Sequence, residues 1–448
     1  MTRTILSFAA RLAGHSLAAL TLTLTLAAAQ SPQLRIFQLD VEQADAALIV
    51  SPNTNTLVID TGLGIGSAQR IKALMDKLGI TKIDHLVTSH YHSDHYGGVP
   101  ALVTSQGVTV VKAYDRGAKD HLGSKTNVPD FKAYETNLGN RAIGLKPGDK
   151  IDLDPAMTVT CVASSGAVMG EQNPVLNSNE NRENDNSVAL LIEFAGFRYF
   201  TGGDIQRHSE TNIAARHLVR NVDACKASHH GSETSSSQEL MSDLKPTVIV
   251  ISNGDHAGFN HPRQVVLNLY NAMSPPPKVF QTNKYTKGAP GGNVLPAFIG
   301  DVGLPNEDGT ILITVAPSTA PFFVSWRSSV LPFGIKDTTV SSSVVIESLL
   351  PRPPGPDSMN EQVTVRNRGT VTLSMGGWVL RDESGKVWKL DSIGNLNPGE
   401  SKPVQRNGMA MSLKDNGDTV FLIAPDGNKK DEYQYTGSQE GVLIATGH

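Results

Sequence analysis

Short apolar runs and longer amphipathic ones alternate through the first two thirds of the chain. Ala46–Val50, Thr56–Ile59, Ile83–Val87, Val188–Phe194, Phe197–Phe200, Ala224–Ser228 and Val248–Ile251 have the length and composition of buried strands. Ser67–Leu78 and Pro262–Met273 carry apolar residues at helical spacing, and Pro262 suits a first helical turn. This mixture runs from Leu34 to about Ser328 and predicts an α/β region. From Val344 onward no helical period appears. Alternating runs there are cut by Pro398-Gly399, Asn416-Gly417 and Asp426-Gly427, which predicts an all-β sandwich. Pro351–Pro356 is expected to be an extended loop just inside that module.

The first residues follow another logic. Arg3 and Arg11 precede the apolar stretch Leu17–Leu26, and Ala27-Ala28-Ala29 precedes Gln30. A stretch this short does not span a bilayer, and the small residues suit cleavage, so 1–29 is expected to be a signal peptide. The expected organisation is a signal peptide at 1–29, an α/β domain at 30–330, a linker at 331–343 and a β-sandwich at 344–448. Export would place the protein in the periplasm or outside the cell, with no membrane span after cleavage.

Composition sets outer bounds. The chain has 448 residues, 39% hydrophobic and 18% charged. That is enough for two or three packed domains and excludes disorder as the main state. A formal charge of −4 selects neither a polyanion nor a membrane as partner. Two cysteines, Cys161 and Cys225, cannot form a disulfide framework or a thiolate cluster. Whether they pair is open; both lie in apolar runs that suit buried thiols.

Seven of the 13 histidines fall in two windows. His90, His92, Asp94 and His95 follow one strand directly. His229 and His230 follow another, with His256 and His261 beyond. Asp204 ends a third, in Thr201-Gly202-Gly203-Asp204. Imidazoles and a carboxylate crowded at one strand end would repel and dehydrate one another without a cation. These are also donors that divalent ions favour. Alternation along the loop divides them: His90 and His92 to one ion, Asp94 and His95 to a second. Asp204 bridges, and His229 completes the second site. His230, one residue further, is expected to point to an open mouth as proton donor or phosphate contact. His261 is a further catalytic candidate, beside a helix start whose backbone N–H groups could meet a phosphate. Asp60 reads either as orienting a ligand histidine or as capping a turn before Gly62. His85, His121, His208 and His217 read as structural. Lys112–Arg141 reads as a solvated face or a substrate wall.

These motifs together resemble the metallo-β-lactamase superfamily, and within it the ComEC-type competence nucleases. The residues carrying the likeness are Leu39-Asp40-Val41-Glu42-Gln43-Ala44-Asp45, Asp60-Thr61-Gly62, Asn184 to Ser187, His229 to Ser235, Ser252-Asn253-Gly254 and His261-Pro262. Glu42 and Ala44 stand where that family has glycines. The resemblance implies a four-layer αββα sandwich and two divalent ions, Zn²⁺ or Mn²⁺. Its first ion would have only His90, His92, Asp204 and water. About 24 residues separate Thr282-Asn283 from Asp308-Gly309, as a surface loop or a lid. The C-terminal module resembles lamin-tail domains, which are immunoglobulin-like, through Val363–Asn367, Gly376–Leu380, Asn397–Gly399 and Asn416–Val420; Trp378 reads as core.

The expected activity is that of a metal-dependent phosphodiesterase on DNA, with an ion-bound hydroxide as nucleophile and Asp94 among the catalytic groups. Hydrolysis of a lactone, β-lactam or phosphocholine ester is the alternative, since the metals do not discriminate. A non-catalytic adhesion or matrix protein is a third reading. Cell-surface or matrix attachment would fall to the C-terminal module.

Overall fold

The computed structural model describes residues 32–117, 128–138, 141–171, 182–305, 307–317, 321–336, 344–369, 372–425, 427 and 429–448. The expected signal peptide and His121 lie outside these residues, as does part of Lys112–Arg141.

Two large sheets face each other. The first runs, in spatial order, Ser329–Phe333, Phe322–Trp326, Ile311–Val315, Leu34–Gln38, Ala47–Val50, Thr56–Ile59, Lys82–Val87, Thr109–Asp115 and Ala142–Gly144. The second runs Ile299–Asp301, Lys278–Asn283, Val248–Ile251, Ala224–Lys226, Phe197–Thr201, Ala189–Phe194, Met157–Ser164 and Lys150–Ile151. Each sheet is antiparallel on one side and parallel on the other. The parallel strand Val248–Ile251 is buried at every position, because both of its faces are covered.

Three apolar layers follow from that. Ile36, Ile49, Leu57, Val159, Leu190, Ile192 and Phe197 fill the space between the sheets. Ala68, Ile71 and Met75 of the helix Gly64–Leu78 pack on the outer face of the first sheet, with Phe131 and Tyr134 of Val128–Leu138. Ile213, Leu240, Met241, Val266 and Tyr270 come from helices on the outer face of the second. The order is helix, sheet, sheet, helix, as the resemblance implied.

Two helix boundaries differ from expectation. The first helix starts at Gly64, a turn before Ser67, with Leu63 and Ile65 exposed, so no apolar period marks the start. The other starts at Gln264, not Pro262. Arg263 N donates to Gly231 O at 2.9 Å and Gly292 N to Pro262 O at 2.8 Å, which ties Pro262-Arg263 to neighbouring turns instead.

The described residues from 344 onward form a separate β structure of two four-stranded sheets and a two-stranded one, with Trp378 and Trp388 in its core. It meets the second large sheet through Glu193, which lies 2.8 Å from Arg366 and 3.3 Å from Arg368. Cys161 and Cys225 are both free and buried. Among the described residues no helix is long and apolar enough to cross a membrane.

Candidate metal centre

The parallel strands of both sheets deliver their carboxyl ends to one cleft, the place where open α/β sheets bind ligands. Thr56–Ile59 leads to Asp60, Lys82–Val87 to His90–His95, Phe197–Thr201 to Asp204, and Ala224–Lys226 to His229 and His230. The turn before Asp204 needs its glycine. Gly203 has φ +56°, and a Cβ there would lie 2.8 Å from that of Ser89. Its absence lets the loops bearing Asp204 and His90 approach.

Asp60 organises the first loop. It accepts from Ser89 N and Ser89 Oγ, both at 2.7 Å, and lies 2.8 Å from His95 Nδ1. His95 is thereby aimed with Nε2 3.2 Å from Asp204 Oδ2. His90, His95 and Asp204 bring ligand atoms within 4.8 Å of one another, and so do Asp94, His95 and His230. His92 sits on the flank, its Nδ1 3.0 Å from His90 Nε2.

The two histidines of the second turn exchange the places expected of them. His230 is buried, 1% exposed, with Nδ1 3.0 Å from Ser252 O. Its Nε2 lies 3.5 Å from both Asp94 and Asp204 and makes no hydrogen bond. His229 is the more accessible, with Nε2 3.9 Å from Asp204 and 3.4 Å from Asn184 Nδ2, and Nδ1 2.9 Å from Thr234 Oγ1. The reason is local: the strand ends at Lys226, and His229 and His230 have φ of 50° and 54°. Strand alternation therefore gives the wrong side-chain direction.

His261 stands behind this pair, its ring 5.5 Å from that of His229 and 6.5 Å from that of His230. Its neighbouring backbone is not a free anion site. Arg263 N donates to Gly231 O and Gln264 N to Pro290 O. The second of these bonds, with that from Gly292 N to Pro262 O, ties the segment after Asn283 to the helix start, and Ile299–Asp301 within it joins the second sheet as its edge. Residues 286–290 of that segment are exposed, as a surface loop requires.

Burial and mutual repulsion set the charges. Burial raises the Asp204 carboxyl, but His95, His230 and His229 outweigh it and hold the group well below the carboxylate range. Burial lowers His95, but Asp204, Asp60 and Asp94 carry it well above the usual imidazole value. His90 is driven well below that value by burial and by His95 and His92. His229 is pushed down to about 4 and His261 to about 3, in both cases first by burial.

A buried Lys226 that sequence reasoning did not select supports the cluster from beneath. Its Nζ lies 2.7 Å from Asp45 Oδ2 and 4.0 Å from Asp204 Oδ1, and donates to Gly203 O and Ala227 O at 3.1 Å. The quoted opening motif contained Asp45, but nothing in an apolar strand announced its partner.

The cluster fits divalent ions. His95 Nε2 and His230 Nε2 are buried side-chain atoms without a hydrogen bond, 3.2 and 3.5 Å from Asp204 Oδ2 within a nest of N and O donors.

The metallo-beta-lactamase superfamily profile matches residues 39–162, and the Lamin Tail Domain profile matches residues 337–437. The chain carries a metallo-β-lactamase superfamily domain and, after it, a lamin tail domain. Relatives of this chain include ComE operon protein 3 of Bacillus subtilis, 24% identical over 54% of this chain and 31% of that one. Competence protein ComA of Neisseria gonorrhoeae is 23% identical over 52% of this chain and 29% of that one. Recombination protein 2 of Haemophilus influenzae is 26% identical over 53% and 26%. The chain thus spans about a third or less of the length of these relatives. Among solved structures, Zn²⁺-bound PqqB from Methylobacterium extorquens is similar at 11% identity and a TM-score of 0.33, over 53% of this chain and 85% of that one.

Proposed function

We propose that this protein is an exported, divalent-metal-dependent phosphodiesterase that cuts DNA. The observation that carries the reading is the convergence of His90, Asp94, His95, Asp204 and His230 at the carboxyl ends of strands from both sheets. His90, His92 and Asp204 would hold one ion and Asp94, His95 and His230 the other, with Asp204 between them and Asp60 orienting His95. Zn²⁺ or Mn²⁺ bound there would supply positive charge for the non-bridging phosphate oxygens and activate a water.

The chain's own residues have complementary tasks. Asp204 stays anionic within the histidine cluster and offers two oxygens. His229, on the accessible side and braced by Thr234, is placed to contact the phosphate or protonate the leaving oxygen. Arg263, two residues beyond His261, has its Nη2 3.6 Å from Glu233 Oε1, which offsets its charge. The likeness to competence proteins supports an anionic polymer over a lactone or β-lactam. The apolar segment 17–26 and the alanines after it support export. Attachment to a surface or matrix through the lamin tail domain remains part of the proposal.

The test is a panel of plasmid DNA, single-stranded DNA, bis-p-nitrophenyl phosphate and nitrocefin, with metal analysis of the purified protein. Cleavage of the phosphodiesters, abolished by a chelator and restored by Zn²⁺ or Mn²⁺, is expected. Turnover of nitrocefin alone would refute it.

A further inference from the structure

We propose that Phe259 is a stacking platform for an unpaired nucleobase next to the scissile phosphate, so that the enzyme prefers single strands or frayed ends. This rests on the phosphodiesterase reading and specifies which nucleic acid it takes.

A single exposed apolar side chain is ordinary on a protein surface. Phe259, 43% exposed, differs in where it is and how it is held. It projects from the loop joining Ser252-Asn253-Gly254 to His261, whose ring is 6.3 Å from its own. His261 is in turn 5.5 Å from His229. The rings form steps from solvent to the Asp204 cluster.

The loop is fastened at both ends. Asp255 accepts from Thr286 N at 2.6 Å and from Thr286 Oγ1, and Lys287 Nζ lies 3.1 Å from it. Asn260 accepts from Tyr285 OH. Within the loop, Gly258 N donates to His256 Nδ1 at 3.1 Å, and the His256 ring packs 5.0 Å from that of Phe259. A ring already fixed in place loses little entropy when a flat partner covers it.

Such a surface suits a nucleobase, since every base has a π-face and stacking on an aromatic ring needs no sequence match. Bases within a duplex are already stacked on one another, so the platform favours those that are not.

The experiment uses the full-length metal-loaded protein, with Phe259→Ala and Phe259→Trp, on oligothymidylate and on the same backbone carrying abasic residues. Circular dichroism and metal content verify each variant. Wild type is expected to show a KM for the abasic strand roughly 5- to 150-fold above that for oligothymidylate, the range equivalent to about 1–3 kcal/mol per stacked base. In Phe259→Ala the two KM values should converge, and in Phe259→Trp they should separate again. A wild type that does not distinguish the strands, or an alanine variant that loses equally on both, overturns the platform alone. A wild type that cuts plasmid DNA or bis-p-nitrophenyl phosphate but neither strand also overturns the platform alone; one that cuts none of the four overturns the phosphodiesterase reading with it.

Discussion

Replacing Lys226 with Met tests how the centre is held from below. The ammonium is buried and lies 2.7 Å from Asp45 Oδ2 and 4.0 Å from Asp204 Oδ1. At an effective dielectric constant of about 20, Coulomb attraction at those distances is about 6 and about 4 kcal/mol. Desolvation offsets much of it, so the net contribution of the pair is smaller than either number. Removing one partner differs from removing both. Methionine fills similar space, but leaves the Asp45 carboxylate buried with Gln38 Nε2, at 2.8 Å, as its hydrogen-bond donor among the described residues, and strips a donor from Gly203 O and Ala227 O. Such an orphaned buried charge costs about 3–5 kcal/mol. Urea unfolding of the metal-free protein should show that loss as a lower midpoint at nearly unchanged slope. Adding Asp45→Asn should recover part of it, because the second change removes the unpaired charge. Two results would refute the reasoning: a loss under about 1 kcal/mol, or a double variant whose loss equals the sum of the single losses.

Other expectations follow from the same geometry. Asp204→Asn should lower occupancy of both ions and remove most activity, since an amide offers one weak donor oxygen; full metal content by elemental analysis contradicts the bridging role. His230→Ala should lower metal occupancy, whereas His229→Ala should retain metal and slow turnover by roughly 10²–10⁴-fold, less so for p-nitrophenolate leaving groups; the reverse pattern would return His229 to the ligand role. Burial opposes ionisation of Glu193, but Arg366, Arg368 and Arg198 hold its carboxyl down at about 2, against an ordinary 4.5. Its stabilisation is therefore complete above pH 4.5 and lost as pH falls towards 2, amounting to about 3 kcal/mol. Thermal melts from pH 6 to 2.5 should show that decline in the wild type and a flatter profile in Glu193→Gln.

The centre was legible where chemistry is compressed into consecutive residues and obscure where backbone handedness decides. His90, His92, Asp94 and His95 lie on one loop after one strand, and no neutral packing accounts for them, so their grouping with Asp204 could be read directly. His229 and His230 were adjacent in the same way. Their order was lost because alternation assumes extended backbone, and both residues turn left-handed between Lys226 and Gly231. Lys226 gave no local signal, for the carboxylates that justify it come from other strands: Asp45 follows Leu34–Gln38 and Asp204 follows Phe197–Thr201. Asp60 shows the opposite failing, a choice posed where none exists. The sequence offered a turn residue before Gly62 or a support for a ligand histidine. In the fold Asp60 has φ 59°, and that left-handed turn is part of the geometry in which its carboxylate meets Ser89 and His95. The turn and the orientation of His95 are therefore one device. A substitution such as Asp60→Gly, which keeps the turn, would separate them by leaving the fold and misaligning the imidazole.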